Sequence, residues 1–94
     1  MNLRRENLVN CFTQAEKLNY TYVAVAIDIQ GNTQAEIIIN HKDNFEAKLN
    51  YYLNAYDENL ILNADNRIRI VGFTMTDTFE QIEEDLAHWI SQLH

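Results

Sequence analysis

His41 and Asp43 lie two residues apart, and Glu84 and His88 fall at helical i,i+4 spacing, so these are the two places where a histidine and a carboxylate are close enough in sequence to share a cation. Neither spacing matches a zinc motif such as H-E-x-x-H, which puts two imidazoles on one helix face with a third ligand beyond. His41 reads as a helix-entry residue and Glu84/His88 as a solvated pair, and no metal site is expected. Carboxylates are plentiful, but acid–base hydrolysis needs two of them held across a cleft with one made more basic by burial. Asp28, inside an otherwise apolar strand, and Glu83, at the margin of an apolar helix stripe, are the two acids whose positions fit burial. Each is more simply read as an edge residue paired with Arg67 or Arg69. Cys11 stands alone, which excludes an internal disulfide and a cysteine-based metal cluster, and its place on an apolar stripe makes it a buried, inert thiol. No G-x-S-x-G and no Gly-rich phosphate loop occurs, and two glycines are a poor supply for a phosphate cradle. The sequence therefore predicts no catalytic residue, no cofactor and no enzyme activity.

Two surface features remain. Ala47, Tyr51 and Ala55 form a small-large-small stripe on one side of a helix, a surface suited to a facing helix or strand, and tyrosine buries area while keeping a wettable hydroxyl. This stripe is the expected interface, for a homodimer or a protein partner. Asp77, Glu80, Glu84 and Asp85 crowd the start of the last helix. They read as a solvated face matched to the helix dipole, or alternatively as a mimic of a phosphate run that occupies the basic groove of a nucleic-acid-handling protein.

The bulk properties narrow the classes further. With 94 residues, 47% of them hydrophobic, and no proline, the chain has the make-up of one ordered globular domain, residues 1–94, not of a disordered tail. Formal net charge is −7, and no Lys or Arg follows Arg69, so direct binding to a nucleic-acid backbone is not expected. No stretch approaches the roughly 18 apolar residues that span a bilayer, and the first residues lack the apolar run of a signal peptide; a cytoplasmic protein is expected.

These residues have to be positioned by elements that the hydrophobic pattern marks out. Leu8, Cys11, Phe12, Ala15 and Leu18 share one face of a helix over residues 5–18, which Asn19 ends. Residues 20–30 read as a strand apolar on both faces, Val23, Val25, Ile27 and Ile29 against Tyr22, Ala24 and Ala26, which suits a central position. Gly31-Asn32 predicts a two-residue hairpin loop, and residues 33–40 the returning strand. Phe45, Leu49, Tyr52, Leu53 and Tyr56 build the apolar stripe of a middle helix, with Asp43 and Glu46 as a capping box at its start near residue 44 and a stop at residues 57–59. A second hairpin is expected from residues 60–62 and 67–73 across a turn at 63–66, with Gly72 marking a bulge. The last helix begins near Thr78, where Asp77/Glu80 and Thr78/Gln81 both have capping-box spacing, and runs to about residue 92 with Phe79, Ile82, Leu86, Trp89, Ile90 and Leu93 on its apolar face. The element order α-β-β-α-β-β-α predicts an α+β two-layer sandwich, an antiparallel or mixed sheet of three to four strands with its helices mostly on one face.

The run Asn44-Phe45-Glu46-Ala47-Lys48-Leu49-Asn50-Tyr51-Tyr52-Leu53-Asn54-Ala55-Tyr56-Asp57-Glu58-Asn59-Leu60, followed by Ile68-Arg69-Ile70-Val71-Gly72-Phe73, resembles small uncharacterised proteins of phages and prophages from low-GC Gram-positive bacteria. Tyr20-Thr21-Tyr22-Val23-Ala24-Val25 and Ile37-Ile38-Ile39-Asn40 are similar as well, so the resemblance covers roughly residues 18 to 90. It implies a mobile element in a bacterial cytoplasm and carries over no catalytic or binding residue. The function expected is that of a small phage or prophage accessory protein acting by protein–protein contact without catalysis.

Overall fold

A computed structural model describes residues 3–87. The chain is α+β. Helix α1 (Arg5–Lys17) leads into strand β1 (Tyr22–Ile29), β2 (Glu36–His41), a 3₁₀ turn (Lys42–Asn44), α2 (Phe45–Ala55), β3 (Ile68–Thr76) and α3 (Phe79–Asp85). The sheet is antiparallel in the order β2-β1-β3, so the strand that is apolar on both faces lies in the middle, as its pattern requires. Since β2 and β3 both run against β1, the link through α2 is a parallel crossover that skips one strand.

The two faces of β1 feed two cores. Val23 and Val25 point toward α1 and α2, where Leu8, Phe12, Phe45, Tyr52, Tyr56, Leu60 and Ile70 complete the larger one. Phe12 meets the Phe45 ring edge-on at 5.5 Å between centroids, an arrangement that adds to area burial. Ala24 and Ala26 point the other way, and their small size lets α3 approach through Ile82 and Leu86. Two helices thus cover one face and the short α3 covers part of the other.

The start of β2 departs from the simplest hairpin. Ile27 faces Glu36, the pairing a loop centred on Gly31-Asn32 produces, yet no rung forms beyond it. Residues 30–35 open into a longer loop because Ala35 turns inward to join Ala24 and Ala26. Gly31 is still needed: its φ of +99° lies where side chains are disfavoured, and Asn32 N–H closes the turn on Ile29 C=O at 2.9 Å. The bulge expected at Gly72 is present. The β1–β3 register shifts between Ala26 and Ile27, which sends Val71 into the smaller core and Phe73 into the larger one.

Residues 60–62 do not form the fourth strand expected of them. They make only isolated bridges, Tyr56 with Leu62 and Ile61 with Arg69. The reason is local: Leu60 is fully buried at φ +63°, a left-handed conformation that no strand contains. Asp57 enforces it, accepting from the N–H groups of Asn59 (2.8 Å) and Ile61 (3.0 Å).

Helix ends also depart from expectation in part. The α1 C-terminus is a Schellman motif with Asn19 at φ +60° and Tyr20 N–H bonded to Ala15 C=O, and it turns Leu18 out of the core to 58% exposure. Asp43 does not cap α2; His41 Nδ1 accepts from Asp43 N–H instead, which produces the 3₁₀ turn before Phe45. Thr78 caps α3 as its spacing predicts, accepting from Gln81 N–H. Phe79, expected on the core face of α3, lies against the Tyr22 ring and is 55% exposed, because it precedes the turn that reaches the sheet. The predicted extension of α3 to residue 92, with His88, Trp89, Ile90 and Leu93, lies outside the described residues.

Candidate interaction surface

Residues 41–56 bring β2 and α2 together so that the helix lies over the β2 side of the sheet. Asn40 is the joint. It is buried on the α2 face of β2, and its amide nitrogen donates to Val23 C=O (3.1 Å) and to the Tyr52 hydroxyl (3.3 Å). No buried side-chain polar atom among the described residues is left without a partner, and the two Asn40 bonds hold the helix in one register over the sheet. Burial also raises the Tyr52 pKa, with the Asn40 bond opposing the rise, and raises that of Tyr56 to about 12.

The stripe singled out on α2 sits beside this joint. Ala47 and Tyr51 are exposed, Tyr51 to 52%, whereas Ala55 is half-buried against the larger core. Tyr51 leans on Tyr52 with ring centroids 5.4 Å apart, and the Lys48 amine lies 5.2 Å from the Tyr51 centroid and 5.6 Å from that of Tyr52. Together with Tyr56, Ile38 and Glu36 these side chains line a cleft of about 310 Å³ between α2 and the sheet, which reaches across Ile27 and Ile29 to Ile68. Immediately beyond it, Ile39 is 44% exposed on the opposite face of the same strand. The importance of Ile39 was hidden in the sequence, where its alternation placed it inside a strand pair and strand order could not be read.

The acids of α3 have divided duties. Asp77 accepts from the Thr21 N–H (2.9 Å) and hydroxyl (3.0 Å), tying the start of α3 to the start of β1. Asp85 accepts from the Thr74 hydroxyl (2.6 Å) and the Gln81 amide (2.8 Å). Glu80, Glu83 and Glu84 are exposed and make no such bonds to the described residues. Two of the four acids singled out as a phosphate-like surface are thus engaged in holding the fold.

The remaining chemistry-bearing residues are scattered. Asp28 is half-buried directly across from Arg69, with no ion pair between them within 4.0 Å, and Arg67 is held instead by Asp65 through two side-chain bonds of 2.9 and 3.0 Å. That guanidinium keeps the Asp65 carboxyl down at about 2. Burial pushes the Cys11 thiol up to about 11, which leaves it protonated and unreactive at neutral pH. His41 and Asp43 approach to 3.4 Å, but among the described residues no three histidine, cysteine or carboxylate side chains gather as a metal would need. Among those residues, too, no helix is long and apolar enough to cross a membrane.

Comparison with protein-family models, with curated proteins and with solved structures finds no match to this chain.

Proposed function

We propose that this chain is a small phage or prophage accessory protein that works by contact with another protein and not by catalysis. The observation that carries the reading is exposed Tyr51 beside the tyrosine-lined cleft, on a helix and strand locked together by Asn40, with Ile39 exposed on the other face of that same strand. A rigid aromatic wall next to a salt-capable pair, Lys48 and Glu36, is the anatomy of an interaction anchor. The phage setting rests on the sequence resemblance alone. Tyr51→Arg tests the reading: it places a charge on the surface without touching the core, so folding should be unchanged while every association of the protein weakens. Unchanged association would remove the reading.

The alternative reading, an acidic nucleic-acid mimic acting through α3, is less well supported because Asp77 and Asp85 serve the fold. It predicts binding to a basic protein that weakens steeply with added salt and is lost in Glu80→Gln/Glu84→Gln.

A further inference from the structure

The hydrogen-bonding phase of β2 determines which of its backbone groups are free. Lys42 N–H donates to Thr21 C=O at 2.8 Å, and in an antiparallel ladder such bonded pairs alternate, so Glu36, Ile38, Asn40 and Lys42 bond inward to β1. Ile37, Ile39 and His41 therefore turn their N–H and C=O groups outward along the edge of the sheet. Edge strands ordinarily carry a bulge, a proline or an inward-pointing lysine that blocks pairing with another chain. β2 carries none of these: it is regular over Glu36–His41, and Ile37-Ile38-Ile39 is its centre.

The charges at its ends are self-complementary. Glu36 stands at one end and Lys42 just past the other, and neither has an ion-pair partner among the described residues. A second copy laid antiparallel along β2 about a two-fold axis through Ile39 sets Ile39 opposite Ile39, Ile37 opposite His41, and Glu36 opposite Lys42 of the second copy, twice. The outward backbone groups of Ile37, Ile39 and His41 all fall into bonded pairs in this register, giving about six N–H···O bonds at two per pair. Registers one residue away put α2 of the two copies on opposite faces and leave the outward groups out of phase. The chain as a whole, at net charge −7, repels its copies, but two of its three lysines, Lys42 and Lys48, sit at this edge and lessen the repulsion there against Glu36, Asp43 and Glu46.

We infer that the partner of the surface described above is a second copy of the chain, joined through β2 into a continuous six-stranded antiparallel sheet with the two α2 helices side by side on one face. This rests on the reading that the protein works by contact, and it puts Tyr51, beside Glu36 and Ile38, on the side of α2 nearest the seam. Closed two-fold pairing uses up the β2 edge of both copies, so association through that edge stops at two.

Sedimentation equilibrium of the purified protein tests it, with folding of each variant checked by circular dichroism. The wild type should be a dimer that persists at high salt. Glu36→Lys and Lys42→Glu should each weaken the dimer about tenfold or more by placing like charges opposite each other, and the double exchange should restore it to within about threefold. Ile39→Pro, which removes an outward N–H and no ladder bond, should give a folded monomer. A wild-type monomer, an open-ended series of oligomers, or a double exchange no better than the singles would each overturn the inference. A monomer whose binding to another protein is still lost in Tyr51→Arg would overturn the second copy as partner while leaving the contact reading intact; Tyr51→Arg without any effect overturns that reading itself.

Discussion

The two outer strands of the sheet end differently. β3 is covered on its free side at its Ile68–Ile70 end by residues 60–62: Leu62 N–H donates to Ile68 C=O and Ile70 N–H donates to Leu60 C=O, both at 2.9 Å, and Arg67 and Arg69 add charge to that edge. A bulge opposite Ala26 and Ile27 irregularises it further. β2 is regular, apolar at its centre and uncovered by the described residues. The start of one edge is covered at the expense of a strained backbone at Leu60, about 1–2 kcal/mol for a left-handed non-glycine residue, and the other edge is left as a regular template. An edge left uncovered by the described residues, in a chain that spends strain to cover the start of its opposite one, fits a partner along β2.

The largest effect expected from breaking this comparison is at the closed edge. Leu60→Ala removes a fully buried side chain from the larger core and should cost about 2–4 kcal/mol, read as a lower urea midpoint, with self-association through β2 unaffected once the variant is folded. Asn40→Ala should cost about 1–3 kcal/mol, because it strands the buried Tyr52 hydroxyl and loosens α2 from β2; here the association should weaken along with the fold.

The tyrosines of the same region set an alkaline limit. Tyr52 and Tyr56 have pKa values raised by burial, Tyr56 to about 12, so the folded state holds their protons more tightly than the unfolded chain, where tyrosine titrates near 10. Their contribution is fully present below pH 10 and lost as pH rises from there toward 12. A denaturation midpoint that falls over that window, and a smaller fall in Tyr56→Phe, is the expected result. The smallest effect on stability should be at the open edge: Ile39→Lys, on a half-exposed side chain, should shift unfolding by less than about 0.5 kcal/mol yet abolish the dimer.

How much of this the sequence disclosed follows from where the determining interactions are. The doubly apolar run at Tyr22–Ile29, the core stripes of α1 and α2 save Leu18, and the Thr78/Gln81 cap are local patterns, and the structure realises them. Local too is the bulge at Gly72, legible because Val71 and Phe73 broke phase. Leu60–Leu62 misleads because three apolar β-formers carry no mark of the Asp57 side chain that bends them. His41 replaces Asp43 as the cap through a ring nitrogen that propensities do not weigh. The Tyr51 stripe was visible as a helical pattern, but its meaning depends on the neighbouring strand being an edge, and strand order is a property of the whole chain.

The account rests on the outward face of β2 being covered by another β2, and amide hydrogen exchange followed residue by residue at increasing protein concentration tests this most directly. Ile38 and Asn40 N–H should be protected at every concentration, since they bond to β1. Ile37, Ile39 and His41 N–H should exchange fast in dilute solution and become protected together as the dimer fills, with a common midpoint that Glu36→Lys moves to higher concentration. Fast exchange of those three at concentrations where the protein is fully associated would contradict the account, because it would place the contact elsewhere on the molecule.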